Sequence, residues 1–327
     1  MENQLEDLVS GQRVLFISTK NKDYIRNSQE LRLLKDKAAR VTAIVSNSSS
    51  YPKRLLFVYF YALLALFKRD FDVLFVGFAP QLLFVLFPFF PRSKVLILDF
   101  FISFFDTLVD DRKKFRLGRF PARFLHFLDW QTIHKANLVI ADTKAHRDYF
   151  AAEFHYPLQK IQVLYLVADD SIYQVEQAVK SDKTQFEVLY FGSILPVQGV
   201  EVIMSSMQLL TDWSKIHFTI IGPVKADKSN FPHTTFYDWL SQPELAEKIA
   251  QADLTLAGHF AADIGKANRT IAGKTYIYEA MNKPMILGDS AANHELFKPD
   301  QQHIFVPRGD AQALADAILQ YYYEVSQ

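Results

Sequence analysis

The chain has 327 residues, which is longer than one ordinary hydrophobic core supports and therefore predicts two domains. Its 36 Lys and Arg residues balance its 36 Asp and Glu residues, so no overall field favours nucleic acid or another polyanion. The sequence contains no cysteine, which excludes disulfides, thiolate zinc sites and thiol catalysis and fits a reducing cytosol. The first apolar run, Val14 to Ile17, is too short for a secretory signal, so we expect none.

Apolar runs alternate with helical patterns throughout the first half of the chain. The predicted strands are 13–18, 41–45, 72–76, 94–98 and 138–141, and the predicted helices are 24–38, 52–69, 121–135 and 144–154. Strands that are apolar along almost their whole length are typical of a parallel sheet covered by helices on both faces.

The second half repeats this scheme. Its predicted strands are 187–191, 217–221, 254–257, 285–287 and 303–306, and a helix at 310–323 closes the chain. The polar stretch 168–184 between the halves is predicted to be the linker. We therefore predict an α/β fold of two Rossmann-like domains, residues 1–170 and 184–327. Because open parallel sheets bind ligands at the carboxyl ends of their strands, we also expect a ligand-binding cleft between the two domains.

Two apolar stretches are candidates for membrane spans. Leu55 to Phe67 has only 13 residues, whereas a span requires about 20. Phe71 to Phe90 is long enough but contains Asp72 and Pro80, so it is interpreted as a buried strand, a turn and an apolar helix. No transmembrane segment is predicted.

A basic and aromatic surface is nevertheless indicated in the first half. The segment 112–123 carries six cations and no acid, and the apolar run 55–67 has two cations at each end. Such a pattern favours peripheral contact with anionic lipid head groups or a lipid diphosphate. The alternative is a solvated loop beside a well-packed core.

The segment 269–289 is the most informative part of the sequence. A small-residue turn leads into a short helix that begins next to Gly273 and Lys274, and a strand follows. A helix N-terminus beside Gly and Lys is an anion site, because free N–H groups and the positive end of the helix dipole point at the ligand. Lys274 and nearby Arg269 are therefore predicted to hold a diphosphate and to stabilise it as a leaving group.

Glu279 lies five positions after Lys274, too far to share the same end of the helix. A carboxylate suits vicinal hydroxyls, so Glu279 is predicted to bind a ribose, with Tyr276 and Tyr278 shielding it. A diphosphate site and a hydroxyl site on one helix together predict a nucleotide-sugar ligand.

The order of several motifs resembles the two-domain glycosyltransferases of the GT-B fold, in particular the retaining family-4-like group of bacterial polysaccharide enzymes. The segments that carry this resemblance are 188–193, 198–201, 218–222, 249–253, 274–284 and 309–310, with a looser match at 99–106 and 136–146. The resemblance implies an acceptor-binding N-terminal domain and a donor-binding C-terminal domain.

The resemblance also implies an activity. We expect a hexosyltransferase, retaining and metal-independent, that moves a hexose from a nucleotide-sugar, UDP-hexose, to a carbohydrate or lipid-linked sugar acceptor in surface polysaccharide assembly. The expected acceptor is an undecaprenyl-diphosphate-linked sugar. No cofactor beyond the donor and no nucleic-acid partner is expected. The expected location is the cytoplasm, at the inner face of the plasma membrane.

The candidate residues follow from these arguments. The predicted catalytic set is Asp99, Asp106, Arg269 and Lys274, and the predicted donor-binding set is Gly192, Ser193, Gly222, Gly273, Lys274, Tyr276 and Glu279. Asp99 directly follows an apolar strand, at the edge of the sheet where catalytic groups are expected. The spacing of Asp99, Asp106 and Asp111 fits no compact ligand loop, so no metal site is predicted. The scattered histidines are interpreted as structural.

Two alternatives remain open. Typical members of the resembling group place Arg and Lys where this chain has Ser193 and Gln198, and Glu where it has Ile271. These departures are compatible with an inactive partner subunit that keeps the fold but has lost the donor site. A nucleotide-sugar epimerase of the same architecture is the other alternative, and it would require carboxylates and a histidine around the hexose.

Overall fold

A computed structural model describes residues 3–22, 24–48, 50–86, 94–175 and 185–326. The chain divides into two compact units, Met1–Leu166 and Val167–Gln327. Each unit contains a six-stranded sheet in which every described strand pair is parallel. The predicted α/β class with two Rossmann-like sheets is therefore confirmed. Residues 176–184 of the predicted linker and residues 87–90 of the predicted apolar helix lie outside the described residues.

The sheet of the first unit has the strand order β2-β1-β3-β4-β5-β6. Its strands are β1 (Arg13–Ile17), β2 (Arg40–Ile44), β3 (Val73–Val76), β4 (Val95–Asp99), β5 (Leu138–Ala141) and β6 (Ile161–Val163). Its helices are α1 (Gln4–Val9), α2 (Ile25–Lys37), α3 (Tyr51–Lys68), α4 (Pro80–Leu86), α5 (Phe120–Ile133) and α6 (Lys144–Glu153). A π-helical turn spans Asp106–Asp111.

Alternation of side chains along the strands divides the core of the first unit into two layers. Leu15, Leu74 and Leu96 lie on one face of the sheet and pack against α3, α4, α5 and α6. Phe75 and Ile97 lie on the other face and pack against α1 and α2. Helices therefore cover both faces, as near-continuous apolar strands require.

The second unit has the strand order β12-β11-β10-β7-β8-β9. Its strands are β7 (Phe186–Phe191), β8 (Ile216–Ile221), β9 (Thr234–Tyr237), β10 (Leu254–Leu256), β11 (Met285–Gly288) and β12 (His303–Val306). Its helices are α7 (Val200–Leu209), α8 (Gln242–Gln251), α9 (Gly265–Arg269), α10 (Gly273–Ala280) and α11 (Ala311–Val325). Helices α7 and α11 pack on one face of this sheet, whereas Tyr278 of α10 packs edge-on against Phe191 on the other.

Local sequence signals explain where several helices begin. The side chains of Thr143 and Asp310 cap α6 and α11 by accepting backbone N–H groups of their first turns. Ser241 and Glu244 form a reciprocal capping box at α8. Such caps satisfy N–H groups that have no partner within the helix, and each typically stabilises a helix by about 1 kcal/mol.

Candidate active site

The carboxyl edge of the second sheet is lined by glycines. Gly192 follows β7, Gly222 follows β8 and Gly258 lies two residues after β10. A Cβ atom on Gly222 would lie 2.3 Å from the carbonyl oxygen of Gly192, and Gly222 also has a φ of +151°. No side chain fits there, so the two loops can approach each other only because this residue is glycine.

The side chain of Lys274 enters this edge from the first turn of α10. It is only 6% exposed, and its ammonium group donates a hydrogen bond to Oε1 of Gln198. Its Nζ also lies 4.7 Å from the ring centroid of Tyr190. A Cβ on Gly192 would lie 3.3 Å from Nζ, and one on Gly258 only 2.9 Å from it. The glycines therefore make the room that the ammonium group occupies.

The electrostatic environment of Lys274 is unusual for a cation. Burial lowers the pKa of Lys274 from 10.5 to about 7, because the ammonium group has lost most of its hydration. Its partners among the described residues are an amide oxygen and an aromatic ring, both uncharged. An anion bound here would restore the lost stabilisation.

The N-terminus of α10 supplies further donors at the same place. Its N-cap residue, Ala272, offers no side-chain cap to the first N–H groups of this eight-residue helix. The hydroxyls of Thr275 and Tyr190 are buried, and neither has a hydrogen-bond partner among the described residues. The hydroxyl of Tyr190 lies beside Gly192, where a bound ligand would supply the partner that buried polar groups usually have.

Three other residues surround the glycine-lined edge. His259 has a left-handed φ of +60°, a conformation that non-glycine residues adopt mainly under constraint, and its Nδ1 lies 2.9 Å from the carbonyl oxygen of Thr270. Arg308 donates to the backbone carbonyls of Asp289 and Ala261. Arg269, the second cation predicted for the diphosphate, is the last residue of α9 and is half-buried.

A cavity of 860 Å³ lies next to Gly192, and Ser193 is part of its wall. Helix α7 contributes Glu201 and Met204, and the loop after β8 contributes Lys225 and neighbouring residues. Its volume lies within the range of small-molecule and cofactor sites. The predicted donor-binding residues Gly192, Ser193 and Gly222 thus come together with Lys274 around one edge of the sheet.

Glu279 is not part of this cluster. Its carboxylate contacts Nε2 of His303 at 2.9 Å, and His303 is the first residue of β12. The first residues of parallel strands lie at the amino edge of a sheet, opposite the edge that holds Lys274. Tyr276 and Tyr278, which were expected to shield Glu279, are buried. The structure therefore places Glu279, the residue predicted to bind ribose, apart from Lys274, the residue predicted to bind the diphosphate.

The predicted catalytic residue Asp99 ends β4 and is fully buried. Arg26 donates to both of its carboxylate oxygens, at 3.2 and 3.0 Å, and also lies 3.2 Å from Glu30. Burial raises the pKa of Glu30 well above its usual range, and the neighbouring charge of Asp99 raises it further. Arg26 is therefore the cation shared by two buried carboxyl groups, those of Asp99 and Glu30.

The other predicted catalytic aspartate, Asp106, starts the π-helical turn and faces His146. Nε2 of His146 lies 3.6 Å from Asp106, and Nδ1 lies 2.7 Å from Asp142. Burial lowers the pKa of His146, but the two carboxylates outweigh it and raise the pKa overall. His146 was interpreted from the sequence as structural, so this cluster was missed. Its position in the first turn of α6, the helix that follows β5, was the available signal.

Comparison with known proteins agrees with this architecture. The family model of the glycosyl transferases group 1 matches residues 185–324, which is most of the second unit. The sequence has no match among curated proteins.

Solved structures of similar fold span both units. Sucrose-phosphate synthase from Thermosynechococcus elongatus is 11% identical with a TM-score of 0.70, and the match covers 96% of this chain and 90% of that one. HepE from Anabaena, solved in complex with UDP, is 14% identical with a TM-score of 0.65 and the same coverage. The lipopolysaccharide outer core galactosyltransferase WaaB is 11% identical with a TM-score of 0.54, covering 96% of this chain and 91% of WaaB. The chain therefore has the GT-B fold, and its second unit is similar to the glycosyl transferases group 1 family.

Proposed function

We propose that this protein is a glycosyltransferase that moves a hexose from a nucleotide-sugar donor, a UDP-hexose, to a carbohydrate acceptor. The observation that carries the proposal is the buried ammonium group of Lys274, which faces the glycine-lined edge of the sheet without a carboxylate partner among the described residues. In a domain similar to the glycosyl transferases group 1 family, the anion expected at such a site is the diphosphate of the nucleotide-sugar donor.

Sugar transfer from a nucleotide donor requires stabilisation of the departing diphosphate. Lys274, the free N–H groups of α10 and the hydroxyl of Thr275 can supply it from fixed positions. Preorganised hydrogen-bond donors of this kind each stabilise the transition state by about 3–4 kcal/mol when water is excluded. Arg269 remains a proposed second cation, and transfer is proposed to need no metal ion.

The cavity beside Ser193 offers room for the nucleoside part of the donor. Glu201 lies in its wall, and a carboxylate accepts hydrogen bonds from vicinal hydroxyls of the kind found in a ribose. Because Glu279 lies at the opposite edge of the sheet, we propose Glu201 in its place as the residue that binds ribose. The structures of HepE with UDP and with UDP-glucose support a uridine nucleotide as the donor type.

The first unit is proposed to bind the acceptor. Asp99 lies beside Arg26 and Asp106 beside His146, and we propose that these two clusters lie on the acceptor side of the reaction. Both carboxylates are fully buried, so we propose that they position neighbouring groups. We further propose that transfer retains the anomeric configuration. The proposed acceptor is an undecaprenyl-diphosphate-linked sugar in surface polysaccharide assembly at the cytoplasmic face of the membrane.

Calorimetric titration with UDP and a panel of UDP-hexoses tests the donor site. An active transferase binds UDP and at least one UDP-hexose, with and without EDTA, whereas an inactive partner subunit binds neither. If UDP-hexose is converted to another UDP-sugar without an acceptor, the protein is an epimerase. If UDP binds but no hexose is transferred to any lipid-linked or free saccharide, the proposed transfer is wrong.

A further inference from the structure

The solvent-facing side of helix α3 is largely apolar, which is rare for a surface helix. It buries only Arg54, Val58 and Ala62, which lie on a narrow stripe four residues apart. The opposite face consists of large apolar side chains, including Leu56 at 74% and Phe67 at 78% exposure. A surface helix normally places polar residues on that side.

Helix α5 repeats this arrangement. Phe120, Phe124, Phe127 and Trp130 lie at helical spacing, and all are exposed, Phe120 to 80%. The rings of Phe120 and Phe124 stack, as do those of Phe127 and Trp130. Helices α3 and α5 pack on the same face of the first sheet, so both apolar stripes belong to one outer layer. We call Leu56, Phe60, Phe67, Phe120, Phe124, Phe127 and Trp130 together the aromatic face.

Cations surround the aromatic face. Lys53 and Lys68 lie at the two ends of α3, and the segment 112–119, which leads into α5, is exposed throughout. That segment contains Arg112, Lys113, Lys114, Arg116 and Arg119. No Asp or Glu occurs at positions 51–69 or 112–128. These segments are therefore apolar and cationic, which is unfavourable for a second copy of the same surface because the cations would repel.

We propose that the aromatic face with its cations binds the surface of a membrane that contains anionic lipids. Aromatic rings suit the boundary between head groups and acyl chains, and basic residues nearby are attracted to anionic head groups. None of the described helices is both long and apolar enough to cross a bilayer, so the contact lies in the plane of the interface. This inference is independent of the proposed transfer, since it needs neither donor nor acceptor.

Co-sedimentation of the full chain with vesicles provides the test. We expect binding to phosphatidylcholine vesicles that contain phosphatidylglycerol, weaker binding as salt is added, and little binding to phosphatidylcholine alone. Removing two cations in Arg116→Gln/Arg119→Gln should lower the partition coefficient about 10- to 30-fold. Phe120→Ser/Phe127→Ser should lower it at least about tenfold, since both rings leave water on binding.

Matched controls come from the second unit. Lys215→Gln/Lys298→Gln removes the same charge from exposed positions, and Leu209→Ser/Val325→Ser removes exposed apolar side chains. Both control proteins should bind vesicles like the original. The proposal is overturned if anionic vesicles bind no protein, or if test and control variants lose binding equally. A dimer in light scattering that Phe120→Ser/Phe127→Ser dissociates, without vesicle binding, would instead identify the face as a self-association surface.

Discussion

Lys274 on α10 donates a hydrogen bond to Gln198, 76 residues earlier, at the turn before α7. Typical members of the resembling glycosyltransferase group have a cation near that turn, whereas this chain has an amide. The contact shows that the ammonium group of Lys274, from a different helix, lies at this turn although the local sequence has no cation. The departure at Gln198 is therefore compatible with a working diphosphate site.

Replacing Lys274 with Met should weaken UDP binding by about 10- to 100-fold, because a charge-assisted hydrogen bond contributes about 1.5–3 kcal/mol. Calorimetry with UDP measures this change. The same variant should be at least as stable as the original, since Met fills the site without a buried charge. Lys298→Met, at an exposed position, is the control and should bind UDP normally. Equal UDP affinity in both variants would remove Lys274 from the site.

The lowered pKa of Lys274, about 7, predicts that UDP affinity falls as pH rises from 7 to 9. Over this range the ammonium group loses its proton, while phosphate, with a second pKa of about 6, keeps its charge. Titrations of the original protein and of Lys274→Met should differ in slope, and the variant should be nearly flat. Parallel slopes would show that another group governs binding.

The contribution of Lys274 to the free energy of unfolding should rise with pH, whereas UDP affinity falls. The pKa of Lys274 is about 7 in the folded chain and has the ordinary value of 10.5 when unfolded, so between these values the unfolded chain binds more protons. The free energy of unfolding contributed by this group therefore rises with pH across that window. Urea unfolding at pH 7 and 9 should show a larger increase for the original than for Lys274→Met.

Gly222→Ala should destabilise the second unit, because its new Cβ would lie 2.3 Å from the carbonyl oxygen of Gly192. We expect a loss of roughly 2 kcal/mol or more from the displaced loop and the strained φ. Gly273→Ala is the matched control, since nothing lies within 4 Å of its Cβ position at the start of α10. That change should be neutral or stabilising by up to about 1 kcal/mol in urea unfolding. Equal stability of the two variants would contradict the close approach of the loops.

Arg26→Met should lower the free energy of unfolding by about 3–5 kcal/mol, because it leaves the buried carboxylate of Asp99 without its cation. The double variant Arg26→Met/Asp99→Leu removes both charges and should recover much of that loss. Transfer assays then separate two roles for Asp99. A stable double variant without transfer supports a part in the reaction, whereas full transfer assigns Asp99 to structure alone.

Most of the fold followed from the apolar pattern, but two of the four edge strands did not. Ten of the twelve described strands were predicted, including the edge strands β2 and β12, because strands of a parallel sheet are largely apolar along their length. Strands β6 and β9 were missed. Their sequences, Ile-Gln-Val and Thr-Thr-Phe-Tyr, are too short or too polar to stand out as apolar runs.

The site was predictable only where a local motif determines it. Gly273 and Lys274 at a helix start indicated an inward cation, and the structure shows Lys274 buried. The orientation of Glu279 could be predicted only from the angular positions of the side chains around α10. At 100° per residue, Glu279 lies about 140° around α10 from Lys274, while Tyr278 lies only about 40° away. The contact of His146 with Asp142 is local, four residues apart, whereas its contact with Asp106 depends on tertiary packing because Asp106 comes from a different connection.

The π-helical turn Asp106–Asp111 has a consequence for Asp106. The amide of Arg112 donates to the carbonyl of Thr107, five residues back, so this turn holds one more residue than an α-helical turn. Deleting a single residue between Asp106 and Asp111 would return the segment to α-helical winding at about 100° per residue. Five residues would then turn the chain about as far as six do in the π-helical form, so the residues on either side would keep their orientation. The connection between β4 and α5 can therefore change its length by one residue at this turn without turning the carboxylate of Asp106 away from the imidazole of His146.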